Sequence, residues 1–209
     1  MEHNQQAYNA WAEQYDTNKN NTRDLEAIAL REILTTFSFT DVLEIGCGTG
    51  KNSAWLVTKA TNILAVDFSE EMLKKAKDKI NNSNIVFQKA DITKPWSFTN
   101  AKFSLIIFSL VLEHTSNLGF IFSEARKKIK EDGYVYIGEL HPVKQHMGSL
   151  ARFETNNGRI ELDCFTHNIS EFLTLAEKNG FSLVKLDEWF DKGDERKLPR
   201  ILTLLFRAG

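Results

Sequence analysis

Val42-Leu43-Glu44-Ile45-Gly46-Cys47-Gly48-Thr49-Gly50 joins a short apolar run to a loop in which every second residue is glycine. Val42, Leu43 and Ile45 suit a strand buried on both faces. The glycines allow positive φ and close approach of a ligand, and the residues after them, Asn52 to Ala60, read as a helix whose first N–H groups are free. In doubly wound α/β sheets, ligands bind beyond the carboxyl end of such a first strand.

Outward from this unit the same alternation continues. A second strand, Ile63 to Val66, ends at Asp67; Ser69 then reads as the N-cap of a helix with Glu70 and Glu71 in its first turn and Met72, Leu73, Ala76 and Ile80 on its apolar stripe. A third strand, Ile85 to Phe87, leads to Ala90-Asp91-Ile92, and a fourth, Phe103 to Phe108, leads to Ser109. The next helix spans Asn117 to Lys130 and stops at the turn pair Asp132-Gly133, before a fifth strand, Tyr134 to Ile137. A last helix, Ser170 to Lys178, ends at Asn179-Gly180, a left-handed cap, and is followed by strands Phe181 to Leu186 and Ile201 to Phe206. The polar stretch between these two contains no helix, so they are expected to pair antiparallel at the edge. The expected fold is a Rossmann-like doubly wound α/β sandwich, a single domain over residues 1–209 with seven mostly parallel strands and an antiparallel edge strand.

Two segments fall outside the alternation and are expected to cover the site. Residues 1–40 read as an N-terminal helical cap with Tyr8, Trp11 and Tyr15 on one side. Residues 141–168 read as an inserted lid containing a hairpin, Arg152 to Thr155 against Arg159 to Cys164, with Asn157-Gly158 as its turn.

Composition narrows the function. The chain has 209 residues, 42% hydrophobic and 26% charged, with 26 Lys+Arg against 28 Asp+Glu. A net charge of -2 argues against broad phosphate neutralisation of a nucleic acid. The absence of a long apolar run and the polar opening residues point to a cytoplasmic protein without membrane attachment. Cys47 and Cys164, the only two cysteines, support neither a disulfide framework nor a paired-cysteine zinc site, and no resident metal is expected.

Three glycine loops compete for residues 46–50. The phosphate-binding P-loop requires a glycine where Lys51 stands, and so does the third position of the dinucleotide fingerprint, which leaves a nucleotide-dependent oxidoreductase a poor fit. The pattern E-x-G-x-G-x-G is matched in full by Glu44, Gly46, Gly48 and Gly50. With Asp67 after strand two, Asp91 after strand three and Asp132-Gly133 before strand five, the stretch from about residue 40 to 140 resembles the class I S-adenosylmethionine-dependent methyltransferases, and Tyr8 to Asp16 resembles the leading helix of their small-molecule members.

The resemblance implies S-adenosylmethionine as cofactor. It implies that Asp67 accepts the ribose hydroxyls, that Phe68 and Ile92 lie against the adenine and Asp91 accepts its amino group, and that the Gly46 to Gly50 backbone, with Cys47 as small filler, holds the methionine part. Glu44, a charge inside an apolar strand, is expected to meet the cationic end of the cofactor. Ser109 and Leu110 are expected beside the methyl, with Tyr15 closing over it. A cofactor-binding protein without transferase activity is the alternative. His114 and His141, at the carboxyl edge of the sheet, are the candidate general bases. Arg152 is a candidate for binding an acceptor carboxylate. Ser109-Leu110-Val111-Leu112 lacks the Asn/Asp-Pro-Pro-Tyr/Phe pattern of enzymes that methylate planar amines, so the expected acceptor is a small molecule.

Overall fold

The computed structural model describes residues 2–155, 158–193 and 198–209. The chain opens with two helices, α1 (Glu2–Trp11) and α2 (Asn21–Leu34), and then enters the sheet at β1 (Asp41–Ile45). A short α3 (Ser53–Leu56) leads to β2 (Asn62–Asp67), then come α4 (Glu70–Lys79), β3 (Ile85–Lys89), β4 (Phe103–Ser109), α5 (Leu118–Lys128) and β5 (Ile129–Leu140). After the five-residue α6 (Pro142–His146), β6 (Arg152–Thr155) and β7 (Gly158–Glu161) form a separate antiparallel ribbon. The chain returns through α7 (Ile169–Lys178), β8 (Phe181–Trp189) and β9 (Ile201–Ala208).

The main sheet has the order β3-β2-β1-β4-β5-β9-β8, with β1 to β5 paired in parallel. β9 runs antiparallel to both β5 and β8, so the antiparallel strand lies one place in from the edge. The chain winds outward from β1 to β3 on one side and resumes at β4 on the other, which opens a crevice at the carboxyl ends of β1 and β4.

The alternation of β1 splits its side chains between two helical layers. Leu43 and Ile45 join a core with Phe122 of α5 and Phe172 of α7, whereas Val42 packs with Leu30, Ile33 and Leu34 of α2. Each of these fully buried side chains stabilises the fold by roughly 1.5–3 kcal/mol relative to exposure. Residues 1–40 are therefore not all cap: α2 is a core helix against the sheet, and only α1, the connector behind it and the first turn of α2 reach the crevice. A third, small cluster of Ala7, Trp11, Ala12, Met72 and Leu162 binds α1 to α4 and to the segment after the ribbon.

Local signals hold where side chains act over a few residues. The Ser69 hydroxyl accepts from Met72 N–H at 3.2 Å, and Gly180 has φ +74° behind α7. Elsewhere tertiary pairing changes the boundaries. The helix expected over 52–60 keeps a single α turn, because Trp55, Thr58 and Lys59 bond three residues back and tighten both ends. Strand five reaches back to Ile129: Phe103 pairs Ile129 while Leu105 pairs Tyr134, so Asp132, at φ +61°, is a bulge within the strand instead of a turn before it. Gly158 begins β7 at φ +117°, while Asn156 and Asn157 of the expected turn lie outside the described residues.

Candidate functional site

The glycine loop is drawn over the end of β2 by Gly46 and Cys47, whose N–H groups both donate to Val66 O, at 2.8 and 3.1 Å. From there Gly48 N–H donates to Asp67 Oδ2 at 2.8 Å, and Ser69 N–H to Asp67 Oδ1 at 2.8 Å. Asp67 is thus tied to both flanking turns, yet each oxygen retains a lone pair for a further donor. Burial pushes its carboxyl up to about 6, against the lowering effect of these N–H groups.

Above the loop lies a cleft that is partly open to solvent. Gly46, Gly48, Asp67, Phe68, Ile92, Ser109, Leu110, Tyr15 and His114 all line it, together with Met72, Ala90 and Tyr8. A Cβ on Gly48 would meet no atom within 4 Å, so open space adjoins this backbone. Gly50 serves packing instead. Its Cβ would stand 2.8 Å from Ile80 Cδ1, so the missing side chain lets the loop seat on the end of α4.

Behind the loop is a layer of buried acids. Glu44 accepts from Ser53 Oγ at 2.5 Å and is pushed up to about 8, chiefly by burial, with Glu26 and Asp67 adding to the shift. Glu26 accepts from Asn52 Nδ2 and from the Tyr136 hydroxyl, each at 3.2 Å, and Asn52 also donates to Ser109 Oγ at 3.1 Å. This arrangement depends on Gly138 of β5, where a Cβ would come within 2.6 Å of Glu26 Oε1. Cys47 is buried and its thiol is pushed well up by desolvation, which removes nucleophilic character.

On the far side of the crevice Leu110 takes φ +52°, a conformation that costs a non-glycine residue on the order of 1–3 kcal/mol unless its surroundings hold it. Leu110 N–H donates to Gly138 O at 2.8 Å, and Val111 and Leu112 N–H both donate to Glu139 Oε1, at 2.9 and 2.8 Å. Glu139 is buried and pushed up to about 8 by desolvation and by the Glu113 carboxylate.

The turn Leu112–His114 that follows brings His114 to the cavity wall. Its Nδ1 lies 3.0 Å from Asp163 O, an acceptor only, and its Nε2 lies 2.8 Å from the Tyr8 hydroxyl. Asn4 Nδ2, a donor, stands 3.3 Å from the same Nδ1, but the nearer Asp163 O favours the proton on Nδ1, leaving Nε2 to accept from Tyr8. Asn4 holds the same segment by a two-way pairing, Nδ2 to Asp163 O at 2.9 Å and Asp163 N–H to Oδ1 at 2.8 Å. A T-shaped contact of Tyr8 with the His114 ring, at 5.5 Å, and another with Phe68, at 5.7 Å, fix the phenol at the cavity mouth.

Two expected site residues face elsewhere. His141 caps α6, its Nδ1 accepting from Val143 N–H at 3.2 Å, while Nε2 pairs with Glu188 Oε1 at 2.9 Å; it is held at the junction with β8, apart from His114. Asp91 closes its own turn, Oδ1 accepting from Thr93 N–H at 2.9 Å and Thr93 Oγ1 at 2.6 Å, while its neighbours Ala90 and Ile92 line the cavity. Conversely, Asn4, Glu26 and Glu139 lie around this crevice although the sequence did not mark them, and Tyr8, marked only as part of the helical cap, lines the cavity itself. Glu139 carries the signal that flagged Glu44, a charge in an apolar strand, and Glu26 interrupts the apolar stripe of α2 in the same way.

A model described as a methyltransferase domain matches residues 43–137. An uncharacterized methyltransferase of Emericella nidulans is 25% identical over 96% of this chain and 82% of its own length. The ubiquinone biosynthesis O-methyltransferase of Pelagibacter ubique is 24% identical over 70% of this chain and 63% of its own. The solved structure of DhpI in complex with SAH superposes with a TM-score of 0.80 at 22% identity, covering 100% of this chain and 96% of that one. Matching fold, motif and relatives agree with the crevice just described and support a class I S-adenosylmethionine-dependent methyltransferase with S-adenosylmethionine as its cofactor.

Proposed function

We propose that the protein transfers the methyl group of S-adenosylmethionine to a small-molecule acceptor, with the cofactor in the cavity above the glycine loop and His114 as proton acceptor. The observation that carries this reading is the Tyr8–His114 pair at the mouth of that cavity, under a cover built from α1 and the segment after the ribbon. A cover of this kind admits a metabolite more readily than a macromolecule, and a relative named for ubiquinone biosynthesis agrees with it.

The donor set fits the cofactor. Asp67 offers free lone pairs to the two ribose hydroxyls, and Phe68, Met72, Ala90 and Ile92 form an apolar slot for the adenine. The open space beside Gly48 admits the methionine part against the backbone. Glu44, which holds its proton up to about 8 in the free protein, would carry charge only as the cofactor's cationic end displaces that proton, and with Cys47 and Gly50 it supports the loop from behind. Asp91 shapes the turn that presents Ile92 to the ring, and Tyr15 closes the top. When bound, the cofactor supplies a sulfonium methyl already activated for in-line displacement, so the protein's main contribution is alignment.

Ser109 and Leu110 set the floor on which the acceptor atom approaches, with Glu139 holding the strained turn. With cofactor and acceptor bound, the Tyr8 oxygen would take the acceptor's proton and the phenolic proton would pass to His114 Nε2. Asp163 O, and the Glu113 carboxylate 3.9 Å from Nε2, stabilise the imidazolium that results. Incubation with S-adenosylmethionine and a metabolite library is expected to yield S-adenosylhomocysteine with a methylated small molecule. Turnover on nucleic acid or protein, with none on metabolites, would overturn the reading.

A further inference from the structure

A second chamber opens from the first across Tyr8, Tyr15 and Leu110, between the α1–α2 connector and the ribbon. Its charged lining is one-sided: Lys19, Arg23, Arg152 and Arg200 against the single carboxylate of Glu113. In a chain with more acids than bases, this local excess stands out. Two of the cations are fixtures of the fold. Arg200 is held by both oxygens of Asp191, and Arg23 is buried, donates to Asn18 O at 2.8 Å and lies over the Tyr15 ring at 4.9 Å. Lys19 and Arg152 are exposed at the chamber wall and make no ion pair among the described residues. Asn20 to Thr22, the first turn of the 14-residue α2, line the same wall and add the positive end of its dipole.

Arg200 already has Asp191 as counter-charge and Arg23 has Asp24 at 3.7 Å, which leaves Lys19 and Arg152, from two separated parts of the chain, as the chamber-wall cations without a carboxylate partner among the described residues. We infer that the acceptor carries an oxyanion group, a carboxylate, phosphate or phosphonate, that lies in the second chamber against Lys19 and Arg152 while its reacting atom reaches Tyr8. This inference rests on the methyl-transfer reading above and adds the chemical class of the substrate. The long exposed side chains of Lys19 and Arg152 close on the anion, Arg152 in the forked geometry that suits two oxygens.

The test uses the full chain saturated with S-adenosylhomocysteine, titrated with inorganic phosphate, acetate, methylphosphonate and, as neutral and cationic controls, glycerol and choline. At least one of the three anions is expected to raise the melting temperature, and the one that does so identifies the group. In the double variant Lys19→Ala/Arg152→Ala that shift is expected to vanish, with S-adenosylhomocysteine affinity changed by less than about twofold. Among acceptors turned over by the wild type, anionic ones are expected to lose about 10-fold in KM per residue removed, the size of one charge-assisted hydrogen bond, with kcat retained. Anion binding undiminished in the double variant, no anion response, or efficient turnover of neutral or cationic acceptors unaffected by the two substitutions would overturn the inference. Failure of S-adenosylhomocysteine to bind the wild type would overturn the methyl-transfer reading beneath it, a separate result.

Discussion

The two halves of the crevice are built on opposite plans. On the side proposed for the cofactor the residues come from contiguous strand–loop units, and parallel register alone brings them together: Ile45 is paired with Val66 on one side and Phe108 on the other, so Gly46, Asp67 and Ser109 must meet at the same edge. On the acceptor side, contacts join residues 106 positions apart in Tyr8–His114 and 159 apart in Asn4–Asp163. One side is a property of the sheet, and the other of how two appendages dock on it. Damage on the first side should therefore abolish binding of the cofactor. On the second it should spare the cofactor and alter turnover.

The largest effect is expected at Asp67. Its replacement by Ala removes two hydrogen bonds to a charged acceptor, each worth about 1.5–3 kcal/mol, so S-adenosylmethionine affinity should fall at least about 100-fold by calorimetry. The same carboxylate makes binding pH-dependent. Because Asp67 holds its proton up to about 6 in the free protein, affinity should weaken as pH falls through that value; an affinity flat from pH 5 to 8 would remove Asp67 from the cofactor side.

Next comes Tyr8→Phe, which keeps the ring contacts and deletes the proton relay. It should lower kcat by about 100-fold or more while leaving cofactor affinity within about threefold. Loss of cofactor affinity in proportion to kcat would erase the distinction between the two sides.

A smaller effect concerns Glu139, which braces the turn between them. Its folded pKa of about 8 lies above the ordinary glutamate value, so the folded state holds a proton that the unfolded chain releases. That stabilisation is full below the ordinary value and is lost as pH rises toward about 8. The melting temperature of the free protein should therefore decline over this window, and Glu139→Gln, which retains an oxygen for Val111 and Leu112 N–H, should flatten the decline. Glu44, shifted in the same direction, keeps part of it in the variant.

The smallest change is expected for Asn4→Ala. Losing the two-way pairing with Asp163 should cost about 1–3 kcal/mol of docking of α1. Hydrogen exchange should rise in residues 2–11 and leave β1 and β2 unaffected.

Much of this was legible before folding. The order of strands, the loop from Gly46 to Gly50 and the placing of Asp67, Phe68, Ile92, Ser109 and Leu110 follow from patterns with periods of two and 3.6 residues and from the fixed handedness of parallel crossovers, which act within each strand–helix unit. His114 and His141 mark the limit of such reasoning. Both follow strands at the same edge of the sheet, yet one is turned to the cavity by the bend at Leu110 and the other, capping α6, to Glu188 of β8, because side-chain direction after a strand depends on loop geometry and not on spacing.

The amino-acid sequence by itself determined the α/β sheet and the edge at which the glycine loop, Asp67 and Ser109 meet, since local periodicity and glycine placement dictate them, while the cofactor followed from the resemblance of that loop to the methyltransferases. Only the tertiary structure decided that α2 belongs to the core, that Tyr8 shares a hydrogen bond with His114, and that Lys19, Arg23, Arg152 and Arg200 enclose one chamber. Those contacts join parts of the chain with no common pattern, and packing of the appendages on the sheet is what selects them.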